Sequence, residues 1–294
     1  MEFIPAKTII SGYTGNNPWF GNNYNMNIYK GCCHGCIYCD SRSECYRIDE
    51  FDKVRAKENA LAIIARELKS KRRTGVIGMG AMSDPYNPFE EQYRLTRGAL
   101  ELINTHRFGV SIATKSDLVT RDIDLLSSIK KHSPVLVKLT VTTADDALCS
   151  KIEPYAPVSS RRLEAVRELS LNGIFTGILL MPVLPFLEDN EDNIGNIIDL
   201  AYEKGAKFIY PAFGVTLRQN QREWFYSKID ENFPSIRQKY VKQYGNSYKC
   251  ESPRAKELWK FFRSRCDSLG ILYKMGDIIN EYKQNYLCEQ ISMF

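Results

Sequence analysis

The sequence contains no apolar run near the roughly 20 residues needed to cross a bilayer. Its opening, Met-Glu-Phe-Ile-Pro-Ala-Lys, lacks a basic region followed by an apolar stretch, so no secretory leader is expected. A cytoplasmic location without membrane association is the expectation. Short repeats and low-complexity tracts are absent too, which excludes solenoids and arrays. Charge of one sign is in small excess: 40 Lys+Arg against 35 Asp+Glu give a formal +5. That does not announce a nucleic-acid surface and does not oppose one. Cysteine is plentiful at nine, yet none lies between Cys45 and Cys149. In a reducing compartment, clustered thiols bind metal more often than they form disulfides.

The remainder is ordinary globular material. With 44% hydrophobic and 26% charged residues in 294, the chain can build one large domain, or a domain with an appendage. Residues 1–24 are rich in Gly, Asn and aromatics and read as an ordered loop. A strand–helix rhythm follows. Strands are expected at residues 26–29, 75–80, 109–113, 135–141, 175–181 and 207–213. Helices are expected at 57–70, around 95–103, at 122–129, at 161–171 with Ser160 as N-cap, and around 194–201. The strands are nearly continuous in apolar residues, as strands buried on both faces are. The fold class is therefore α/β. Six units in about 190 residues predict a partial (β/α)6 barrel of parallel strands, TIM-like but open. Residues 25–217 form this core. Residues 218–294 read as a helical C-terminal extension with no clear strand.

One loop carries the strongest chemical signal: Tyr29-Lys30-Gly31-Cys32-Cys33-His34-Gly35-Cys36-Ile37-Tyr38-Cys39-Asp40. Cys32, Cys36 and Cys39 make C-x3-C-x2-C. Three thiolates on a short loop can wrap one corner of an iron–sulfur cubane and leave the fourth iron open for chemistry. Cys33 complicates the register, because C-x2-C also runs from Cys33 to Cys36. A zinc ribbon would need a second C-x2-C downstream, and none is present. A ferredoxin would need a fourth ligand, usually followed by proline, which is also missing. His34 is expected to form hydrogen bonds rather than to ligate metal.

Strand ends supply further candidates, since a parallel barrel carries its functional groups just past the C-terminal ends of its strands. After the second strand, Ser83 and Asp84 offer acceptors for an ammonium; the alternative is a proline turn with a capping Asp. Lys115 stands at the end of the third strand, as a flexible point cation or as an ordinary surface lysine. On the fourth, alternation puts Lys138, Thr140 and Thr142 on one face, either as the wall of a wet cavity or through β-propensity alone.

The cysteine loop together with these segments resembles the radical S-adenosylmethionine (SAM) superfamily, and within it the spore photoproduct lyase-related branch. The resemblance covers residues 25–217 well. It implies a [4Fe–4S] cluster on Cys32, Cys36 and Cys39 whose open iron chelates the amino and carboxylate groups of SAM. One-electron reduction by a donor such as flavodoxin or ferredoxin would then yield a 5′-deoxyadenosyl radical. It also implies that Lys115 meets the SAM carboxylate, that Thr140 sits near the cofactor, and that Ser83 and Asp84 stand where many members have a Gly-Gly-Glu-like segment. Tyr38 is expected to shield the cluster and touch the adenine, with simple packing as the alternative. The lyase places a hydrogen-donating cysteine just past the second strand, where this chain has Met82-Ser83-Asp84. Thymine-dimer repair by that relay is therefore not expected; Tyr248 or Cys250 is a candidate substitute donor, with a cysteine that merely packs a helix as the alternative. A second cluster on Cys250, Cys266 and Cys288 is a further, weaker alternative.

The leading functional expectation is radical chemistry, with nucleic acid as a candidate substrate. The alternatives are an iron–sulfur redox or sensor protein that never turns over SAM, and a radical enzyme acting on a peptide or small metabolite. Basic stretches at residues 69–73 and at Arg161-Arg162 favour an anionic partner, or are solvated helix faces. The chain ends Gln290-Ile291-Ser292-Met293-Phe294, which resembles the peptide by which bacterial repair and replication proteins bind the DNA sliding clamp. Met293 and Phe294 would fill an apolar pocket while Gln290 fixes register; the alternative is a tail packed on the barrel. Deleting residues 290–294 is expected to abolish retention on immobilised clamp without lowering iron content. Equal retention of the truncated and intact chains would refute the motif.

Overall fold

The computed structural model describes residues 1–13 and 19–286. The terminal peptide 290–294 and Cys288 lie outside them. Six parallel strands form the centre: β1 (Tyr24–Met26), β2 (Val76–Met79), β3 (Gly109–Thr114), β4 (Val135–Thr140), β5 (Phe175–Leu180) and β6 (Phe208–Pro211). They lie side by side in chain order, and Ile10–Gly12 adds an antiparallel edge strand beside β1. Five helices return the chain between strands: α1 (Ala60–Ser70), α2 (Leu95–Thr105), α3 (Ile123–Lys130), α4 (Ser159–Leu171) and α5 (Glu191–Glu203). Sequential neighbours joined by helical crossovers are the expected arrangement for parallel strands. The expected open six-fold barrel is what the chain builds, with a seven-stranded sheet that does not close on itself by hydrogen bonds.

Strand alternation divides the core. Ile77, Val110, Ile112, Val137, Leu139, Ile178 and Ile209 face outward and pack with the buried faces of the five helices. Each such side chain contributes about 1.5–3 kcal/mol by leaving water. The inward face has two levels. At the base, Val76, Leu136 and Phe208 pack with Phe20. Toward the strand ends, Gly78, Ser111, Lys138 and Thr140 surround a cavity.

Several elements depart from the sequence expectation. The first strand is shifted: Tyr24–Met26 belongs to the sheet, whereas Tyr29–Lys30 pairs separately with Arg55–Lys57. Its inward residue, Asn25, is polar, so no apolar run marks it. Residues 1–24 are more than a loop, because Glu2–Ile4 and Ile10–Gly12 are strands and Glu67 accepts the backbone N–H of Ile9 and Ile10. Ser160 is not the cap of α4. The helix starts at Ser159 with Val158 at the cap position, and Ser160 lies inside it, where the Asp146 carboxylate accepts from both its N–H and its hydroxyl.

After β6 the chain adds β7 (Gly214–Thr216), α6 (Gln221–Asn232), α7 (Ile236–Tyr244), β8 (Lys249–Glu251), α8 (Ala255–Leu269) and α9 (Met275–Lys283). The strand β8 pairs antiparallel with β7, a correction to the all-helical expectation. It is three residues long and buries only Cys250, too little for a hydrophobic pattern. The extension has no core of its own. Phe225, Ile229 and Tyr240 pack with Ile37 and Tyr38 beneath the cysteine loop. Leu258 and Phe262 join the outer layer. Ile278 and Tyr282 join the barrel base, where Tyr282 Oη donates to Phe20 O at 2.6 Å. The sheet's open side is bridged there by aromatic contact: Tyr210 on β6 meets Trp19 at 5.2 Å and Phe20 at 5.4 Å.

Phe208 is fully buried, stacked 5.7 Å from Phe175 and tilted against Phe20 at 5.8 Å. Phe208→Ala is expected to cost about 3–5 kcal/mol in urea unfolding, because the base cannot collapse around the cavity left. A loss below about 1 kcal/mol would show that the base is not a load shared by β6 and the N-terminal segment.

Candidate functional site

The cysteine loop leaves the barrel after β1 and folds over the strand ends. Gly31 turns it with φ +82°, and a Cβ there would lie 2.6 Å from Lys53 O. Backbone bonds fasten it to the segment after β4: Ile37 N–H donates to Ile152 O at 3.0 Å, and Tyr155 N–H to His34 O at 3.1 Å. Gln221 on α6 donates to Tyr38 O at 2.9 Å.

Under this loop lies a cavity of about 360 Å3. Cys32, Cys36 and Cys39 all line it, whereas Cys33 does not and packs against the outer core. Burial pushes the Cys32 thiol up to about 12 and raises Cys36 and Cys39 as well, with the Lys115 ammonium opposing it at the latter two. Among the described residues, no three His, Cys, Asp or Glu side chains converge closely enough to hold one metal ion. The three thiols are thus neighbours around one space rather than corners of a single-ion site.

The remaining candidates divide by position. Ser83, Asp84, Lys115 and Thr140 line the cavity. The Ser83 Oγ is buried with no hydrogen-bond partner. Asp84 is fully engaged: its carboxylate accepts from Tyr86 N–H at 2.9 Å, Thr114 Oγ1 at 2.6 Å and Lys115 N–H at 2.8 Å. His34 Nδ1 stands 3.5 Å from it. Asp84 therefore joins the loops after β2 and β3, and Ser83 is the residue left with an open acceptor. Gly80 permits this approach; a Cβ there would sit 1.9 Å from Ala113 O. Lys115 Nζ makes no hydrogen bond or ion pair among the described residues and lies 5.6 Å from the Tyr38 ring centroid. Burial works against its charge, but Cys36 and Glu153 outweigh burial and raise its pKa.

Tyr38 lies behind the loop, outside the cavity lining, because its hydroxyl donates to Glu153. Glu153 in turn pairs with Arg162, and both are essentially unexposed, at 1% and 0%. Arg162 also donates to Thr140 O at 2.8 Å and Pro157 O at 2.6 Å. Burial would raise Glu153, but Arg162, Lys115 and Tyr38 hold it below the usual carboxylate range. Arg162 is thus no part of a basic surface, contrary to the sequence expectation. Tyr248 and Cys250 do not line the cavity: Tyr248 Oη accepts from Arg218, and Cys250 is buried in β8. Cys250 and Cys266 belong to different packing clusters.

Residues 26–201 match the Radical SAM superfamily. The chain belongs to this superfamily of enzymes. An uncharacterized protein of Methanocaldococcus jannaschii is 39% identical over 178 residues, covering 60% of this chain and 66% of that protein. One of Mycobacterium tuberculosis is 28% identical over 228 residues, covering 75% and 67%. The chain thus spans about two thirds of the length of these relatives. The Radical SAM Nalpha-GlyT isomerase of Pseudomonas phage M6 is 25% identical over 60% of this chain and 36% of its own. Spore photoproduct lyase complexed with dinucleoside spore photoproduct superposes with TM-score 0.64 at 16% identity, over 85% of this chain and 75% of that one. That likeness is one of fold. The radical SAM barrel accounts for the parallel strands, and the cysteine loop occupies their functional end.

Removing one partner of a buried ion pair leaves the other charge without compensation. Glu153→Gln is expected to cost about 3–5 kcal/mol in urea unfolding, and Glu153→Leu with Arg162→Met distinctly less than either change alone. Additive losses would deny the coupling.

Proposed function

We propose that this radical SAM protein holds a [4Fe–4S] cluster on Cys32, Cys36 and Cys39 and cleaves SAM reductively, acting on nucleic acid. The observation that carries the cluster assignment is the sorting of four thiols: three face one cavity and Cys33 faces away from it. Soft thiolate donors suit iron, and a cubane takes one thiolate per iron, so its ligands need not converge on a point. A bound cluster with an open iron would supply the electron that converts SAM to a 5′-deoxyadenosyl radical able to abstract hydrogen from substrate.

The protein's own groups do the positioning. Lys115 offers an unpaired ammonium beside Cys36 and Cys39, suited to the SAM carboxylate. Ser83 Oγ offers an unmet acceptor for the ammonium of the same methionyl group. Thr140 presents a small hydroxyl at the end of β4. Tyr38, locked by Glu153, backs the loop and excludes water from its rear. A one-electron donor such as flavodoxin or ferredoxin is the implied partner. Nucleic acid as substrate is supported by the shared shape with a lyase that takes a dinucleoside, and the small basic excess does not oppose it. An iron–sulfur sensor without SAM turnover is the competing reading, and an unpaired Lys115 inside the cavity weighs against it.

Anaerobically reconstituted protein is expected to carry about four irons at this site. Cys32→Ala, Cys36→Ala and Cys39→Ala should each lose them, and Cys33→Ala should keep them. Reduced holoprotein should release 5′-deoxyadenosine from SAM. Lys115→Ala should retain iron but bind SAM roughly ten- to a hundredfold more weakly in calorimetry, the cost of a charge-assisted bond. Iron loss in Cys33→Ala but not in Cys32→Ala would overturn the ligand register, and full iron with no nucleoside release would favour the sensor.

A further inference from the structure

Lys138 is unused by this assignment. It enters the barrel from the middle of β4, is 1% exposed and lines the same cavity as the cysteines. Its Nζ donates to Ser111 Oγ and lies 4.7 Å from the Phe20 ring centroid, one level below the strand ends. Among the described residues, no carboxylate meets it. The β3 strand presents Ser111 and Ala113, β5 presents Leu179, β2 presents Gly78, and β1 with its preceding segment presents Asn25, Asn22 and Trp19. None of these is charged. Burial is accordingly the one cause acting on the amine and pushes it down to about 7.

A buried amine with no counter-charge costs stability, and an apolar side chain of similar length would fill the space better. The surroundings make a receptor instead. An ammonium has three N–H bonds; Ser111 takes one and two remain for the cavity. The Asn22 carbonyl oxygen is buried without a partner. Its amide lies directly on Gly78, where a Cβ would come within 2.2 Å of Nδ2. That amide can take a hydrogen bond or, turned over, give one. The level also separates Lys138 from Lys115. Lys115 stands at a strand end near Cys36 and Cys39, where the SAM carboxylate would lie, which leaves the deeper amine open to a different ligand.

We propose that Lys138, with the Asn22 amide that lines the same cavity, anchors a singly charged oxyanion of the substrate, a phosphodiester or a carboxylate, at the floor of the cavity. This rests on the radical SAM reading, since it assigns the second molecule held in that space. One positive charge without a partner matches one negative charge and would leave a dianion half uncompensated. Binding of the anion and protonation of the amine favour each other by linkage.

The test is competitive acetylation of anaerobic, cluster-loaded protein with trace acetic anhydride, read by peptide mass mapping at Lys138 across pH. The probes are dimethyl phosphate for the phosphodiester arm and acetate for the carboxylate arm, with chloride at equal ionic strength as control. The expected result is a Lys138 reactivity that rises through neutral pH and falls at least about fivefold at pH 7 in a saturable way with one of the two anions. The arm that protects identifies the source of the oxyanion. Protection by neither anion, equal protection by chloride, or no acetylation of Lys138 at any pH would overturn the proposal. As a second measurement, Lys138→Met is expected to unfold at the same or higher urea concentration than wild type. A clear loss of stability would mark the amine as a structural prop and would also overturn it. Release of 5′-deoxyadenosine by wild-type protein tests the underlying reading separately; if that succeeds while protection fails, only the anchor is lost.

Discussion

The site depends on one buried ion pair. Glu153 and Arg162 stand with almost no exposure; both meet the Cys149 thiol, and their other polar contacts reach the cysteine loop, the end of β4 and the turn before α4. Through Glu153 the pair holds Tyr38 and hence the cysteine loop. Through Arg162 it holds the end of β4 at Thr140 and the 154–157 turn at Pro157. Two charges pay desolvation to be there, and such pairs are poor sources of net stability. What they give is geometry: a hydrogen-bonded set that is satisfied in one arrangement of loop and barrel. Lys115 adds a third charge to the same neighbourhood, where burial works against it and the Glu153 carboxylate favours it.

Around this pair the barrel is stratified. The outer face of the sheet is largely apolar and packed against helices. The inner face changes from aromatic and aliphatic at the base to glycine, hydroxyl and amine near the strand ends. The C-terminal extension serves each level. Helices α6 and α7 brace the cysteine loop from behind, α8 thickens the outer layer, and α9 supports the base through Ile278 and Tyr282. It is buttress material distributed over the core, with no separate interior.

Much of this was legible in the residues. Five of the six parallel strands show as apolar runs because both of their faces are buried, and strand ends follow from that. The cysteine spacing marked the loop; Ser83 and Lys115 were singled out by their place after strands and Thr140 by alternation along one, and all three line the cavity. Tyr24–Met26 escaped because a strand with Asn25 inward has no apolar signature. Arg162 read as a surface cation, because nothing local tells a buried arginine from a solvated one; its partner lies nine residues earlier across a turn. Asp84 was legible as a polar group after a strand, but not as a clamp between two loops, since its partners Thr114 and Lys115 come from the next strand. The burial of Lys138 was implied by its alternation with Thr140, although the lack of any carboxylate near it is a property of four other strands.

The stratification also governs traffic. Among the described residues, the base is stopped by Phe20, Phe208 and Tyr282, all buried. The lumen is then a well with its mouth at the level of the cysteines. Lys138, 4.7 Å from the Phe20 ring centroid, stands beside that stopped end, so an occupant of its level would be shielded from bulk water by the depth of the well.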